Sequence, residues 1–600
     1  MSLRPPAAEP RAEYEARLQV RRRRLRQALR IHHVLVGVRF ALAASFLVVW
    51  WRTLGPLGIS PAWLLAPVAA FVVVAAIHEV VARKRKAAQR ATSFYERGLA
   101  RLDDRWAGQG DAGTRFVDDA HPYAADLDLF GRASLFELLC TARTRAGQEM
   151  LAAWLKAPAT RDDVLRRQAA VAELQPSIDL REDLALAGED VDARMDPSTL
   201  VRWSTADAIP FPRHARAVTA ALAALNLLAA AAWALGAAGG QPLVLSLAVS
   251  GAWALRLHER VQRTIGAGDR PSRDLALFAQ VLGRLERERF ESPLLRSLRE
   301  RLDTYGLPPS RQLRRLARLQ DLLESRRNQF FVPIALPLLW TTQVALSIEA
   351  WRRRVGQAVP EWLRVAAELE ALCALASHAY ERPSDVFPEI TTDGPCLEAR
   401  GLGHPLLPEA RCVRNDLRLD AELRLLVVTG SNMSGKSTLL RTAGTNLVLA
   451  LAGAPVRAAA LRVSVMSLGG SIRIQDSLEA GASRFYAEIT RLRQIMGLAR
   501  ERPPLLFLLD EILHGTNSDD RRVGAEAVVR GLLDRGALGL VTSHDLALAR
   551  IADDLAPRAR NVHFEDHLED GRIAFDYKLK DGVVRRSNAL ALMRAVGLEV

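Results

Sequence analysis

The sequence predicts a multidomain protein in which an α-helical region with two transmembrane helical hairpins is followed by a C-terminal α/β domain. Three observations carry this expectation. Almost uncharged runs come in two close pairs, 34–51 with 61–77 and the two halves of 217–255, each pair joined by a short turn containing glycine and proline. The stretches between and after them are charged and helical in pattern. An apolar, strand-like run at 423–428 then feeds directly into a glycine-rich loop at 430–437. With 600 residues the chain can hold several domains, each with its own core.

The N-terminal 1–30 is a basic, cytoplasmic segment that ends in "RRRRLRQALR". Residues 31–83 form the first hairpin: Val34 to Trp51 carries one charge, Arg39, the turn "RTLGPLGIS" follows, and Pro61 to Ile77 carries none. Runs of about 17–25 apolar residues span the hydrocarbon core, and basic residues collect on the cytoplasmic side. The cluster "RKRK" at 83–86 mirrors the one before the hairpin, so both ends are expected in the cytoplasm, with Arg39 snorkelling toward it. Residues 84–125 read as a juxtamembrane linker, including an amphipathic helix in "TSFYERGLARL", and 126–205 as a helical core region. The second hairpin, 206–258, has no charge from Ala217 to Leu255, turns at "GAAGGQP", and is flanked by Arg213, Arg216, Arg256 and Arg260. A third uncharged stretch, Asn328 to Ile348, is broken by Pro333 and Pro337 and reads as a buried core helix within a helical lever region at 259–390. The protein is therefore expected as a multi-pass component of the inner cell membrane whose C-terminal domain, 391–600, lies in the cytoplasm.

The 82 Lys+Arg against 68 Asp+Glu leave a net charge of +14, which suits a polyanionic partner, either nucleic acid or an anionic membrane face. Cys140, Cys373, Cys396 and Cys412 show neither metal-ligand spacing nor a disulfide framework, which fits a reducing compartment.

The loop Gly430-Ser431-Asn432-Met433-Ser434-Gly435-Lys436-Ser437-Thr438 matches GxxxxGK[ST]. Its glycines let backbone N–H groups wrap phosphates, Lys436 reaches the β and γ phosphates of ATP, and the Ser437 hydroxyl sits on Mg²⁺. Downstream, "LLFLLDEILHGTN" reads as a buried strand ending in Asp510, a Mg²⁺ partner, and Glu511, the group that orients or deprotonates the attacking water. A third strand, "ALGLVTSH", ends in His544, placed to sense the γ-phosphate.

The set "TGSNMSGKST", "LLDEILHGTN" and "VTSHD" resembles the MutS family of mismatch-recognition ATPases, whose loop carries the same Asn-Met pair as Asn432-Met433. Between loop and acid pair, "IQDSLEAGASRFYAEI" is similar to a family segment that presents a serine to the ATP of the other subunit. Asp476, Gly481, Ser483, Phe485 and Glu488 match, whereas Arg484 stands where threonine is usual. The resemblance implies an ABC-type P-loop ATPase, a homodimer, and Ser483 acting in trans. "ARGLGHPLLP" and "VRNDLRL" look like the strands that open the family's ATPase domain, with an insertion between Arg400 and His404. "LAGAPVRA" resembles a turn in which Leu451 replaces a common glutamine. Further upstream, 127–158 and 166–174 are similar to the start of the family core, and 369–390 to the end of its lever helix.

The 125 residues before that core leave no room for mismatch-reading and connector domains, so the family resemblance is to a membrane-anchored form without them. Phe94-Tyr95-Glu96 copies the family's Phe-x-Glu wedge only superficially. Two functions follow: ATP-dependent DNA binding through a dimeric, ATP-gated clamp, on mismatched, branched or damaged DNA, or a membrane-bound mechanical ATPase that acts on a protein or membrane partner without DNA.

Overall fold

The structure, a computed structural model, describes residues 9–54, 60–187, 197–266, 272–303, 306–325, 331–431, 433–473, 484–513, 517–544, 546–569 and 572–583. Helices α1 (Pro10–Leu54) and α2 (Leu65–Leu102) pack along one another as an antiparallel pair. No proline falls between 11 and 55, and Pro67 lies in the first turn of α2, so neither helix is interrupted. Both therefore run well beyond the apolar stretches that announce them: the basic segment from Pro10 is the first part of α1, and residues 84–102 continue α2. The outer part is apolar and exposed, including Val34, Phe40, Trp51, Val72 and Ile77. Arg39 does not reach out but lies over the Phe71 ring and meets His78 Nδ1 at 3.1 Å. Because a guanidinium only donates, His78 Nδ1 accepts, and its Nε2–H is left to donate to His32 Nδ1 at 2.7 Å.

At the other end the pair is seated on protein. Tyr14, Leu18, Phe94 and Tyr95 form a small core with Ile178. Phe94 and Tyr95 are thus buried packing residues, which disposes of the wedge-like match. Around that core, Arg101 Nε and a second guanidinium nitrogen donate to the two Glu381 oxygens at 2.6 Å each, Tyr14 donates to Glu381 at 3.2 Å, and Arg382 pairs with Asp104 at 2.6 Å. Tyr95 and Arg21 both donate to Glu182.

The helical region comprises α3 (Leu135–Leu139), α4 (Arg145–Lys156), α5 (Arg161–Leu174), α6 (Ile178–Leu186), α7 (Pro197–Thr205), α8 (Ala215–Ala234), α9 (Gln241–Gly266), α10 (Ser272–Leu285), α11 (Pro293–Glu300), α12 (Pro309–Glu324), α13 (Val332–Ala335), α14 (Trp340–Val355) and α15 (Val359–Glu381). Side-chain caps from Ser134, Thr144 and Thr160 start α3, α4 and α5. Helices α8 and α9 pack together, and buried Asn226 links them, donating to Ser250 Oγ and to the Pro337 carbonyl. Of the described helices, α1, α2 (with the turn from Ala62) and α8 are long and apolar enough to cross a membrane; α9 is not among them. The third uncharged stretch divides: Val332, Ile334 and Leu336 are exposed, whereas α14 buries Val344, Ala345 and Ile348 as a core helix. Helix α15 is buried along nearly its whole length and touches α2 and α6 as well as α4 and α5.

The C-terminal domain opens on β1 (Glu389–Thr391), β2 (Leu397–Leu402) and β3 (Asn415–Leu419), followed by β4 (Leu425–Thr429), α16 (Lys436–Ala452), β5 (Ala460–Ser464), β6 (Ser467–Ser471), α17 (Arg484–Leu498), β7 (Leu505–Asp510), α18 (Ser518–Leu533), β8 (Leu538–Ser543), α19 (Leu546–Asp554), β9 (Ala559–Glu569) and β10 (Arg572–Asp581). Two sheets result, of order β1-β5-β2-β3 and β10-β9-β4-β8-β7-β6, the second parallel except for β10. Its central strands are apolar without alternation because both faces are covered. Leu426, Val428, Leu506 and Leu508 join the core shared with α16 and the helical region, while Leu425, Val427, Phe507 and Leu509 face the core that takes in residues of α17, α18 and α19. The helical region rests directly on this domain: Asp126 Oδ1 accepts from the backbone N–H groups of Ile472 and Arg473, and Arg491 donates to the carbonyls of Asp119 and His121.

Candidate active site

The carboxyl ends of β4, β8 and β7 lie side by side, in register from Val428–Thr542 to Thr542–Asp510. In open parallel sheets this edge is where ligands bind. After β4 the chain turns through 430–435 and enters α16 at Lys436. Gly435 has φ +104, and a Cβ there would meet the Tyr577 ring at 3.2 Å, so both backbone shape and close approach call for glycine. No side chain caps the N-terminus of α16, which leaves its first N–H groups open to an anion.

Lys436 is buried, and its ammonium donates to the carbonyls of Gly430 at 3.0 Å and Ser431 at 2.8 Å. Burial lowers its pKa, an effect that Glu511 and Asp510 partly offset. Glu511 Oε1 lies 3.7 Å from the Lys436 amine and 3.4 Å from His544 Nδ1. The structure thus brings Lys436, Asp510, Glu511 and His544 to one edge, with Ser437 and Thr438 beside them on the first turn of α16. Ser434 is buried, and its hydroxyl has no hydrogen-bond partner among the described residues. Met433 is 86% exposed with φ +70. Asn432 and Ser483, with Asp476 and Gly481, lie outside the described residues. Of the segment that holds Ser483, α17 is described: its buried Glu488 accepts from the N–H of Leu513, tying the helix to the loop after β7.

Two contributors went unnoticed in the sequence. Thr542, fully buried at the end of β8, donates its hydroxyl to Asp510 Oδ1 and accepts from the Glu511 N–H at 3.0 Å, so one side chain orients both acids. Only the strand register reveals this. Tyr577 stands beside the loop because Asn415 clamps a bulge in β10, donating to the Tyr577 carbonyl and accepting from the Leu579 N–H, both at 2.9 Å. The cavity enclosed by Lys436, Ser437, Asp510, Glu511, Val413 and Tyr577 has a volume of about 950 Å³, of the size that takes a nucleotide. Its donor set fits ATP with Mg²⁺: open helix N–H groups, an ammonium, a hydroxyl and two carboxylates. Replacing Thr542 with valine should lower ATP turnover about tenfold, because a charge-assisted hydrogen bond of about 1.5 kcal/mol is lost, with nucleotide affinity nearly unchanged. Steady-state kinetics beside nucleotide titration checks this; unaltered kcat rejects the orienting role.

The family model of MutS domain V matches residues 426–599. "DNA mismatch repair protein MutS 2" of Halobacterium salinarum is 34% identical over 251 residues, covering 41% of this chain and 29% of the relative. "DNA mismatch repair protein MutS" of Natronomonas pharaonis is 34% identical over 248 residues, 40% of this chain and 28% of that protein. The Thermus thermophilus protein of the same description is 30% identical over 301 residues, 49% of this chain and 34% of its own length. The chain thus spans about a third of the length of the curated relatives it matches, and the match lies in its C-terminal half. The Asn-Met loop, the acid pair at the end of β7 and these matches agree: residues 426–599 match MutS domain V, and the C-terminal half of the chain is similar to MutS proteins.

Proposed function

We propose that the protein is a membrane-anchored ATPase that binds DNA, mismatched, branched or damaged, through a dimeric clamp gated by ATP. The observation that carries the ATPase reading is the convergence of Lys436, Asp510, Glu511 and His544 on the open N-terminus of α16. The ammonium of Lys436 exchanges its two carbonyl partners for phosphate oxygens, while the α16 N–H groups hold the same phosphates. Ser437 and Asp510 would hold Mg²⁺, which would supply charge neutralisation for the transferring phosphoryl group. Glu511 takes the proton of the attacking water, and His544, against the same carboxylate oxygen, senses the γ-phosphate. Tyr577 offers a ring face to the base. Ser483 completes the site of a second copy, and exposed Met433, beside the cavity, supplies apolar surface for that copy to cover. DNA binding is supported by α12, which presents Arg311, Arg314, Arg315 and Arg318, all exposed and none in an ion pair among the described residues.

A second reading, a mechanical ATPase whose partner is the membrane or a membrane protein, draws on the bonds of Glu381 and Arg382 that seat the α1–α2 pair on the end of α15. Duplex, mismatched and branched DNA should raise ATPase activity of the purified dimer if the first reading holds, with binding that weakens steeply as salt rises. Arg311, Arg314, Arg315 and Arg318 changed together to glutamine should remove most of that stimulation and leave basal turnover unchanged. No effect from any of the three DNA forms rejects the DNA reading and leaves the mechanical one.

A further inference from the structure

The positive charge of the chain is not spread over it. From residue 16 to residue 95 there are fourteen Lys and Arg against one carboxylate, Glu79, so thirteen of the net +14 charges reside in the α1–α2 pair. The remaining 520 residues are almost neutral as a whole, and the ATPase and lever regions hold no comparable excess.

The structure shows where on the pair this charge sits. The His32–His78 bond and the Tyr14–Tyr95 contact set the antiparallel register and bring 23–30 of α1 level with 80–87 of α2. Arg23, Arg24, Arg26 and Arg30 from one helix, and Arg83 and Lys84 from the other, are exposed in a single band around the rod. Half-buried Arg85 and Lys86 lie in the same band. Its one acid, Glu79, is 3.9 Å from Arg83, an exposed pair that cancels little of the charge. On one side the band borders directly on the exposed apolar surface that begins at Val34 and ends at Ile77. On the other, Arg17, Arg21 and Arg22 are already paired, with Glu13 and Asp179, Glu182 and Glu96. The exposed cations Arg23, Arg24, Arg26, Arg30, Arg83 and Lys84 therefore cluster at the level where an apolar rod leaves hydrocarbon and meets lipid headgroups.

We infer that this band is a binding surface for the headgroups of anionic phospholipids in the cytoplasmic leaflet. The inference rests on the reading of α1 and α2 as membrane-spanning. Zwitterionic headgroups carry no net charge to match it, whereas each anionic phosphate at this depth neutralises one arginine or lysine while the acyl chains cover the adjoining apolar face. Arginine suits the task, since its guanidinium fork holds two phosphate oxygens at once. DNA is a poorer match, because the band encircles a rod whose apolar end continues without a break.

The test uses the full chain in detergent, offered mixed micelles with equal amounts of phosphatidylglycerol and phosphatidylcholine, and measures the lipid retained after purification. The wild-type chain should retain phosphatidylglycerol over phosphatidylcholine by about fivefold or more at low salt, falling as salt rises. A variant with Arg23, Arg24, Arg26, Arg30, Arg83 and Lys84 changed to glutamine should retain the two lipids about equally. The α12 variant, which removes four arginines elsewhere, should keep the wild-type ratio. Equal retention by the wild-type chain, or a wild-type ratio in the band variant, overturns the inference. Alkaline extraction of membranes examines the underlying reading separately: recovery of the wild-type chain in the soluble fraction refutes the spans, whatever the lipid ratio.

Discussion

Changing Glu511 to glutamine should leave ATP binding intact and lower turnover at least about 100-fold, the low end of what a positioned general base contributes. The substitution keeps size and most hydrogen bonding but removes the proton acceptor. Its neighbours sharpen the expectation. Glu511 Oε1 lies near both the Lys436 amine and His544 Nδ1, and its backbone N–H is pinned to Thr542 through two bonds, to the hydroxyl at 3.0 Å and the carbonyl at 3.3 Å. Glu511 itself has φ +47, a left-handed conformation costly for a non-glycine residue and tolerated where the surroundings over-determine it. A glutamine inherits that backbone, so the loss should appear in kcat and hardly in nucleotide affinity. Single-turnover hydrolysis measured beside nucleotide binding decides the matter. Turnover within about threefold of wild type would remove Glu511 from the role of base.

The second large effect belongs to the seat of the α1–α2 pair. Glu381 is 3% exposed and Arg101 12% exposed, and the two meet through two parallel bonds of 2.6 Å. Burial, with Glu381 close by, also raises the pKa of the Tyr14 hydroxyl, so it stays protonated and donates to the same carboxylate. Glu381→Ala leaves Arg101 charged and without its partner, a loss of about 3–5 kcal/mol for a broken buried pair. The α1–α2 base should loosen first, giving early proteolytic cleavage near residues 103–115 and a lower melting temperature in detergent. The paired change Glu381→Leu with Arg101→Met should recover most of that loss, because an apolar pair of similar volume needs no charge compensation. If the single variant melts like wild type, the ion pair does not hold the seat.

The parts of this architecture written in short stretches could be read from the residues alone. Apolar runs such as Leu505–Leu509 are strands because a parallel sheet covered on both faces leaves no polar side, and glycines at 430 and 435 mark the loop that follows β4. Interactions across large separations could not be read this way. Thr542 meets Asp510 only because β8 lies between β4 and β7, and Glu381 meets Arg101 across 280 positions. The length of α1 was hidden for another reason: its charged first half looks like a tail until Tyr14 and Leu18 are seen packed on Phe94, Tyr95 and Ile178. Exposure of Val332, Ile334 and Leu336 beside the buried α14 likewise depends on tertiary neighbours rather than on composition.

One property of the long pair follows from its continuity. Helix α1 has 45 residues without a break, a rod of about 68 Å that, among the described residues, is seated on the rest of the protein near its N-terminal end. Gripping a rod at its foot makes it a pointer. A rotation of about 10° at the Glu381 seat sweeps its far tip through roughly 12 Å, more than a third of the thickness of a bilayer core. Shifts of about 1–2 Å at the foot are thereby magnified several-fold at the tip.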